Sequence, residues 1–221
     1  GTYPWNPPCT RTGCSLNVGH NHADAANFSL YQAGTWLIHE TIGTGNAATS
    51  FHNTLLIDGA GQYRPPSSNF GEVVDDFVNR SGFLRTSVSS RSFDYVAADA
   101  TQRYDVPDLR EFTRHVLFVR PHYFVMLDNL AAQSPHRYEW VAHFPAGLSI
   151  DGDWVRGESG GEQVVGVGIV GPPSYVVTTG NDGSPYMRSR PLASVDNARL
   201  IHILYPTHAE SWDTRPAFDL L

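Results

Sequence analysis

The sequence contains no lysine. All fifteen basic residues are arginine, set against twenty-two acidic ones for a formal charge of −7. An acidic chain without basic clusters excludes non-specific nucleic-acid binding, which relies on many cationic contacts to phosphates. A polyanionic ligand would need local arginine pairs rather than a general field. Cysteine is almost as scarce, with only Cys9 and Cys14, in PPCTRTGC. Their spacing lacks the C-x-x-C pattern of redox and zinc pairs. A small-loop disulfide in an extracytoplasmic protein and a pair of free thiols are the two readings. No run approaches the roughly 18 apolar residues of a membrane span; the most apolar piece, His115 to Leu127, is broken by Arg120, Pro121 and His122. No basic stretch followed by an apolar one opens the chain as a signal peptide would. Gly1 rather than Met stands first, and further chain is expected upstream.

A helical period is missing too. What is present is a series of short β-rich runs parted by Gly, Pro, Asn and Asp. Strands are expected at Ala26–Tyr31, Thr35–His39, Asn53–Ile57, Gly71–Val78, Phe83–Ser89, Phe93–Ala98, Arg110–Val119, Tyr123–Leu130, His136–Phe144, Gln163–Val170, Ser174–Thr178 and Ala198–Tyr205. In REFTRHVLFV the apolar Phe112, Val116 and Phe118 share one parity while Glu111 and Thr113 take the other, so one face of that strand covers a core. With 221 residues, 41% hydrophobic, the chain can bury a sizeable core. The strand spacing is that of an antiparallel sandwich or barrel, and the fold expected is all-β: one large, multi-stranded antiparallel β-sandwich over residues 19–208. An irregular segment, 1–18, precedes it and a coil-rich tail, 209–221, follows.

Four of the ten histidines, His20, His22, His39 and His52, fall between residues 19 and 59, together with Asp24 and Glu40. An extended HNHAD would put His20, His22 and Asp24 on one face, neighbouring imidazoles being about 7 Å apart by Cα. Imidazoles and carboxylates converging in this way suit zinc or another divalent transition metal. Hydrogen-bonded histidines without an ion, and a cupin-type metalloenzyme with an H-x-H pair, are the alternatives. The cupin glutamate position, however, holds Ala26 or Asn27.

GHNHADAANFSLYQAGTWLIHETIGTG followed by FHNTLLIDGAGQ resembles the heparinase II/III-like family of polysaccharide lyases, clearly over residues 15–150 and loosely to 208. The combination of H-x-H-x-D with H-N-T carries the likeness. The resemblance implies β-elimination on a uronic-acid-containing polysaccharide such as alginate or a heparin-like glycosaminoglycan. It also implies a secreted or periplasmic location. By the same resemblance His20 faces substrate as the catalytic side chain, with Asn21 beside it, and a structural Zn2+ is held by His22, Glu40 and His52. The family's catalytic tyrosine sits on a helical (α/α) toroid, which nothing in this chain supplies and which would come from another region or chain. A non-catalytic, zinc-stabilised carbohydrate-binding or scaffold sandwich is the competing reading. His115, His122, His136, His143, His202 and His208 read as structural or surface residues, His143 lying nearest the cleft, and Tyr63 reads as a rim aromatic.

Overall fold

The computed structural model describes residues 22–41, 47–63 and 80–217. Cys9, Cys14, His20, Asn21 and the expected strand Gly71–Val78 lie outside those residues. Among the described residues, fourteen strands form three antiparallel sheets. A small hairpin pairs β1 (Leu30–Gln32) with β2 (Thr35–Ile38) across a turn at Ala33 and Gly34, both with positive φ. The largest sheet has, in spatial order, β4 (Phe83–Ser89), β5 (Phe93–Asp99), β6 (Leu109–Val119), β7 (Tyr123–His136), β14 (Val195–His208), β11 (Gln163–Gly171), β10 (Trp154–Glu158) and β9 (Gly147–Asp151). The third sheet runs β12 (Tyr175–Asn181), β13 (Pro185–Pro191), β8 (Tyr138–His143) and β3 (Leu55–Ile57). No helix among the described residues is long and apolar enough to cross a membrane.

A period of two governs the long strands. In β7, Met126, Asp128, Leu130 and Ala132 are buried while the residues between them are half-buried. Met126 and Leu130 enter a core shared with Phe112, Leu200 and Leu204 of the same sheet and with Leu55, Tyr138, Trp140 and Met187 of the smaller one. Trp140 sits at its centre, wholly buried. Its ring stacks on His202 at 4.0 Å and its indole N–H reaches Met126 Sδ at 3.3 Å. Burial, with Arg114 acting in the same direction, pushes His202 down to about 3. It is a neutral core group bonded to the Ser189 hydroxyl at 2.7 Å. Gly157 marks a close approach, since a Cβ there would lie 2.1 Å from Phe144 Cδ1.

The β4 strand has the bounds expected from its residues. Three strands were not expected: β9, β10 and β13. Proline at both ends of β13, with arginine at alternate positions, hides a strand whose Met187 and Ser189 point inward. The segment Ala26–Phe28, expected to be extended, instead follows a turn in which Ala26 takes φ 59°. The tail is less loose than its composition suggests. Ala209–Thr214 is a 3-10 turn, and Trp212 packs on Trp154 and Val164 while donating to Asp151 Oδ2 at 2.6 Å.

Three elements converge at one end of the smaller sheet. There the start of β3, the end of β8 and the β12–β13 turn meet, because Leu55 pairs with Trp140, His143 with Tyr186 and Asn181 with Pro185. The histidine-bearing loop lies across that end.

Candidate active site and metal centre

Residues 23–28 form an irregular loop whose backbone is tied down almost group by group. Thr49 Oγ1 donates to Ala23 O, and Thr54 Oγ1 donates to Ala25 O, both at 2.9 Å. The Gln62 amide grips Ala25 in both directions, accepting its N–H at 2.9 Å and donating to its carbonyl at 2.8 Å. Asn53 Nδ2 donates to Phe28 O at 2.9 Å, and the turn closes with Asn27 N–H on Asp24 O at 2.9 Å. A buried ion pair completes the set. Arg114 of β6 meets Asp128 of β7 through two 2.7 Å bonds, and its Nη1 donates to Ala26 O at 2.6 Å and to Asn53 O at 2.9 Å. One guanidinium thus holds both the loop that carries His22 and the segment that carries His52. Pre-ordering of this kind spares a site the cost of fixing its loops when a ligand arrives.

On this support His22, Asp24 and His52 come together, each offering a ligand atom within 4.8 Å of the others. The rings of His22 and His52 are 5.0 Å apart, tilted by 44°. His52 is buried, His22 half-buried and Asp24 exposed. His52 Nδ1 lies 2.6 Å from Glu40 Oε2, and since a carboxylate only accepts, the nitrogen carries the proton. The same oxygen accepts from Asn27 Nδ2 at 3.0 Å. His52 Nε2 is buried and has no partner among the described residues. A buried imidazole nitrogen with a free lone pair, beside a second imidazole and a carboxylate, is what a divalent cation accepts. The donor set therefore fits zinc.

Two of the expected metal-ligating residues, His22 and His52, are brought together here. Glu40, expected as the third, stands on the far ring nitrogen of His52, where a carboxylate fixes tautomer and orientation. The third member of the cluster is Asp24, the acidic end of H-x-H-x-D, which an extended strand would put on the same face as His22 and to which the resemblance assigns no role. His39 is not part of the group. Its Nδ1 lies 2.6 Å from the Glu40 carbonyl and its ring packs edge-on against Trp36. His20 and Asn21, expected to face substrate, fall outside the described residues. His143, wholly buried, closes the support from below: its Nδ1 donates to Asn53 Oδ1 at 3.0 Å, and its Nε2 lies 3.5 Å from Asp182 Oδ2. Burial pushes its imidazole below the usual histidine range, with Asp182 opposing and His52 and Arg188 adding to the fall. It stays neutral at neutral pH. The supporting roles of Asn27, of Asn53 in H-N-T and of the Arg114–Asp128 pair were not expected from the sequence. The one available signal was an arginine on the apolar parity of β6.

His22 and Asp24 open onto a broad cleft of about 600 Å³, whose other walls include Phe83, Leu84, Asp99 and Arg103. Tyr63, expected as a rim aromatic, does not line the cleft itself; its backbone N–H meets Arg103 O at 2.6 Å and the Arg80 guanidinium lies 4.3 Å over its ring. The cleft's volume is in the range of sites that hold a small ligand such as a sugar unit.

The fold and the cluster together define a large antiparallel β-sandwich domain with a candidate metal centre at one end. Residues 7–187 match the family model described as heparinase II/III-like, C-terminal, and the chain belongs to that family. Membership displaces the cupin alternative. Among solved structures, the chain is similar to heparan sulfate lyase HepC from Pedobacter heparinus (13% identity, TM-score 0.65), covering 85% of this chain and 31% of that one. It is also similar to a heparinase III (17% identity, TM-score 0.62), covering 89% of this chain and 31% of the other. A heparinase III with methylated lysines gives a TM-score of 0.67 at 13% identity, covering 86% and 31%. At such identities the likeness shows a shared fold. The chain spans about a third of the length of these structures. No curated protein matches it.

Proposed function

We propose that the chain is the β-sandwich portion of a polysaccharide lyase that cleaves a uronic-acid-containing polymer, alginate or a heparin-like glycosaminoglycan, by β-elimination. The observation that carries this reading is the His22–Asp24–His52 cluster opening onto the cleft, in a chain of the heparinase II/III-like family. His22, Asp24 and His52 Nε2 would hold a zinc ion, whose service is to hold the loop and the H-N-T segment together. Glu40 keeps the His52 proton on Nδ1.

The C5 proton of a uronate is only weakly acidic, so its removal needs stabilisation of the charge that develops on the carboxylate. It also needs a base for the proton and an acid for the departing glycosidic oxygen. His20, two residues before His22, is the side chain assigned to this work, neutralising the carboxylate or shuttling the proton, with Asn21 as a neighbouring amide donor. A tyrosine on a helical toroid outside this chain supplies the remaining proton transfer; the threefold greater length of the solved relatives supports such a region. A polymer of this kind is met outside the cytoplasm, which supports a secreted or periplasmic location.

The test is the ultraviolet chromophore of the unsaturated uronate product, followed with the intact protein on a panel of alginate, heparan sulfate and other uronate polymers. Product should appear with at least one polymer and disappear in His20→Ala, while polymer retention survives. Retention with no chromophore from any polymer would instead identify a carbohydrate-binding sandwich stabilised by zinc.

A further inference from the structure

Asn27 belongs to neither sequence motif, yet its side-chain amide bridges them. Its Oδ1 accepts the Asn53 backbone N–H at 2.8 Å, and its Nδ2 donates to Glu40 Oε2 at 3.0 Å. The two ends are not interchangeable, because a backbone N–H needs the oxygen and a carboxylate needs the N–H₂. The amide therefore has one orientation. Its donor end shares Glu40 Oε2 with His52 Nδ1, which lies 2.6 Å from that oxygen. Asn53 is in turn held from three sides, by Arg114 on its carbonyl, His143 on its Oδ1 and Phe28 O on its Nδ2. A rigid hub thus fixes Asn27, Asn27 fixes the Glu40 carboxylate, and Glu40 fixes the ring of His52.

We propose that Asn27 is a positioning residue for the metal centre: it holds Glu40 on Nδ1 of His52, so that Nε2, buried and without a partner among the described residues, is the nitrogen left for an ion. This rests on the metal reading given above. The Asn27 side chain bonds neither His22 nor Asp24; only its backbone N–H meets the Asp24 carbonyl, at 2.9 Å, and the amide acts through Glu40.

The chemistry of the amide suggests a substitution that separates its two ends. Asn27→Asp keeps an oxygen for the Asn53 N–H, so the loop anchor survives, but it turns the other end from donor to anion against the Glu40 carboxylate. Glu40 is then driven off His52. Asn27→Ser removes the bridge without adding charge. In the intact, metal-free protein labelled with ¹⁵N-histidine, His52 is expected as a single Nδ1–H tautomer, and both variants should lose that uniformity. Zinc titrated alone should bind at least about tenfold more weakly to Asn27→Asp, the loss typical of a ligand's orienting partner. The melting temperature should move by no more than about 4 °C, the shift that about 1 kcal/mol produces in a chain of this size. Unchanged tautomer and unchanged zinc affinity in both variants would overturn the proposal, as would a fall in melting temperature unaccompanied by either. If the unsubstituted protein binds no zinc, the metal reading fails, and the tautomer still decides the role of Asn27.

Discussion

Substitution of Arg114 by alanine removes one partner of an ion pair whose side chains are 3% and 0% exposed. Asp128 would be left as an uncompensated buried carboxylate, at a cost of about 3–5 kcal/mol. That is a large part of a native stability on the order of 5–15 kcal/mol. In a chain of this size it corresponds to a fall in melting temperature of roughly 6–20 °C. The carbonyls of Ala26 and Asn53 also lose their shared donor, so both ligand-bearing segments loosen. The double substitution Arg114→Met with Asp128→Leu separates the two effects. Replacing a buried pair by apolar residues of similar volume is close to neutral for global stability, but it restores nothing to the two carbonyls. Urea denaturation should therefore show most of the lost stability recovered in the double variant. Amide exchange over residues 24–28 and 52–54 should stay fast in both. A cost below about 1 kcal/mol in Arg114→Ala, or a double variant no better than the single, would refute the reasoning.

Other tests are simpler. His136 bridges Asp58 at 2.6 Å and Asp108 at 3.0 Å, tying the β3 turn to the segment before β6. The Asp58 hydrogen bond, partly offset by burial, raises the imidazole above its ordinary 6.5. Its stabilisation is complete below 6.5 and fades as pH rises through the raised value. Both carboxylates are held below their ordinary 3.8, so their share is present above 3.8 and fades in stronger acid: Asp58 by the Arg137 backbone N–H and His136 against an opposing burial, Asp108 chiefly by the Ser134 hydroxyl. His136→Ala should thus destabilise most between 3.8 and 6.5 and little in alkali, as read by urea denaturation across pH. An equal loss at all pH values would deny the bridge. Gly157→Ala should cost about 1–3 kcal/mol by overpacking, since the added methyl meets Phe144; an unchanged melting temperature would mean that the ring moves aside at no cost.

Much of the architecture was legible because it rests on period-two alternation and turn chemistry. Phe83–Ser89 and the Phe112, Val116, Phe118 parity needed no tertiary information. The strands that escaped detection are those whose pairing overrides weak local preference, above all β13 between its prolines. In the site, His22 and His52 were readable as imidazoles in a recognisable spacing. The places of Asp24 and Glu40 were not: Asp24 enters the cluster from an irregular loop in which Ala26 takes positive φ, and Glu40 meets His52 Nδ1 instead of joining the cluster. Asn27 and Asn53 act through backbone groups far away in sequence, a form of support that leaves no local pattern. The buried Arg114 left a trace as a charge on a core-facing position, and its partner became evident once β6 and β7 were paired, with Arg114 opposite Asp128.

The most direct measurement compares zinc affinity in Asp24→Asn and Glu40→Gln, each checked for retained folding. With Asp24 as ligand and Glu40 as the carboxylate behind His52, zinc binding should be abolished in Asp24→Asn and weakened by about 10–100-fold in Glu40→Gln. Loss of binding in Glu40→Gln with near-normal affinity in Asp24→Asn would contradict the account and make Glu40 the third ligand.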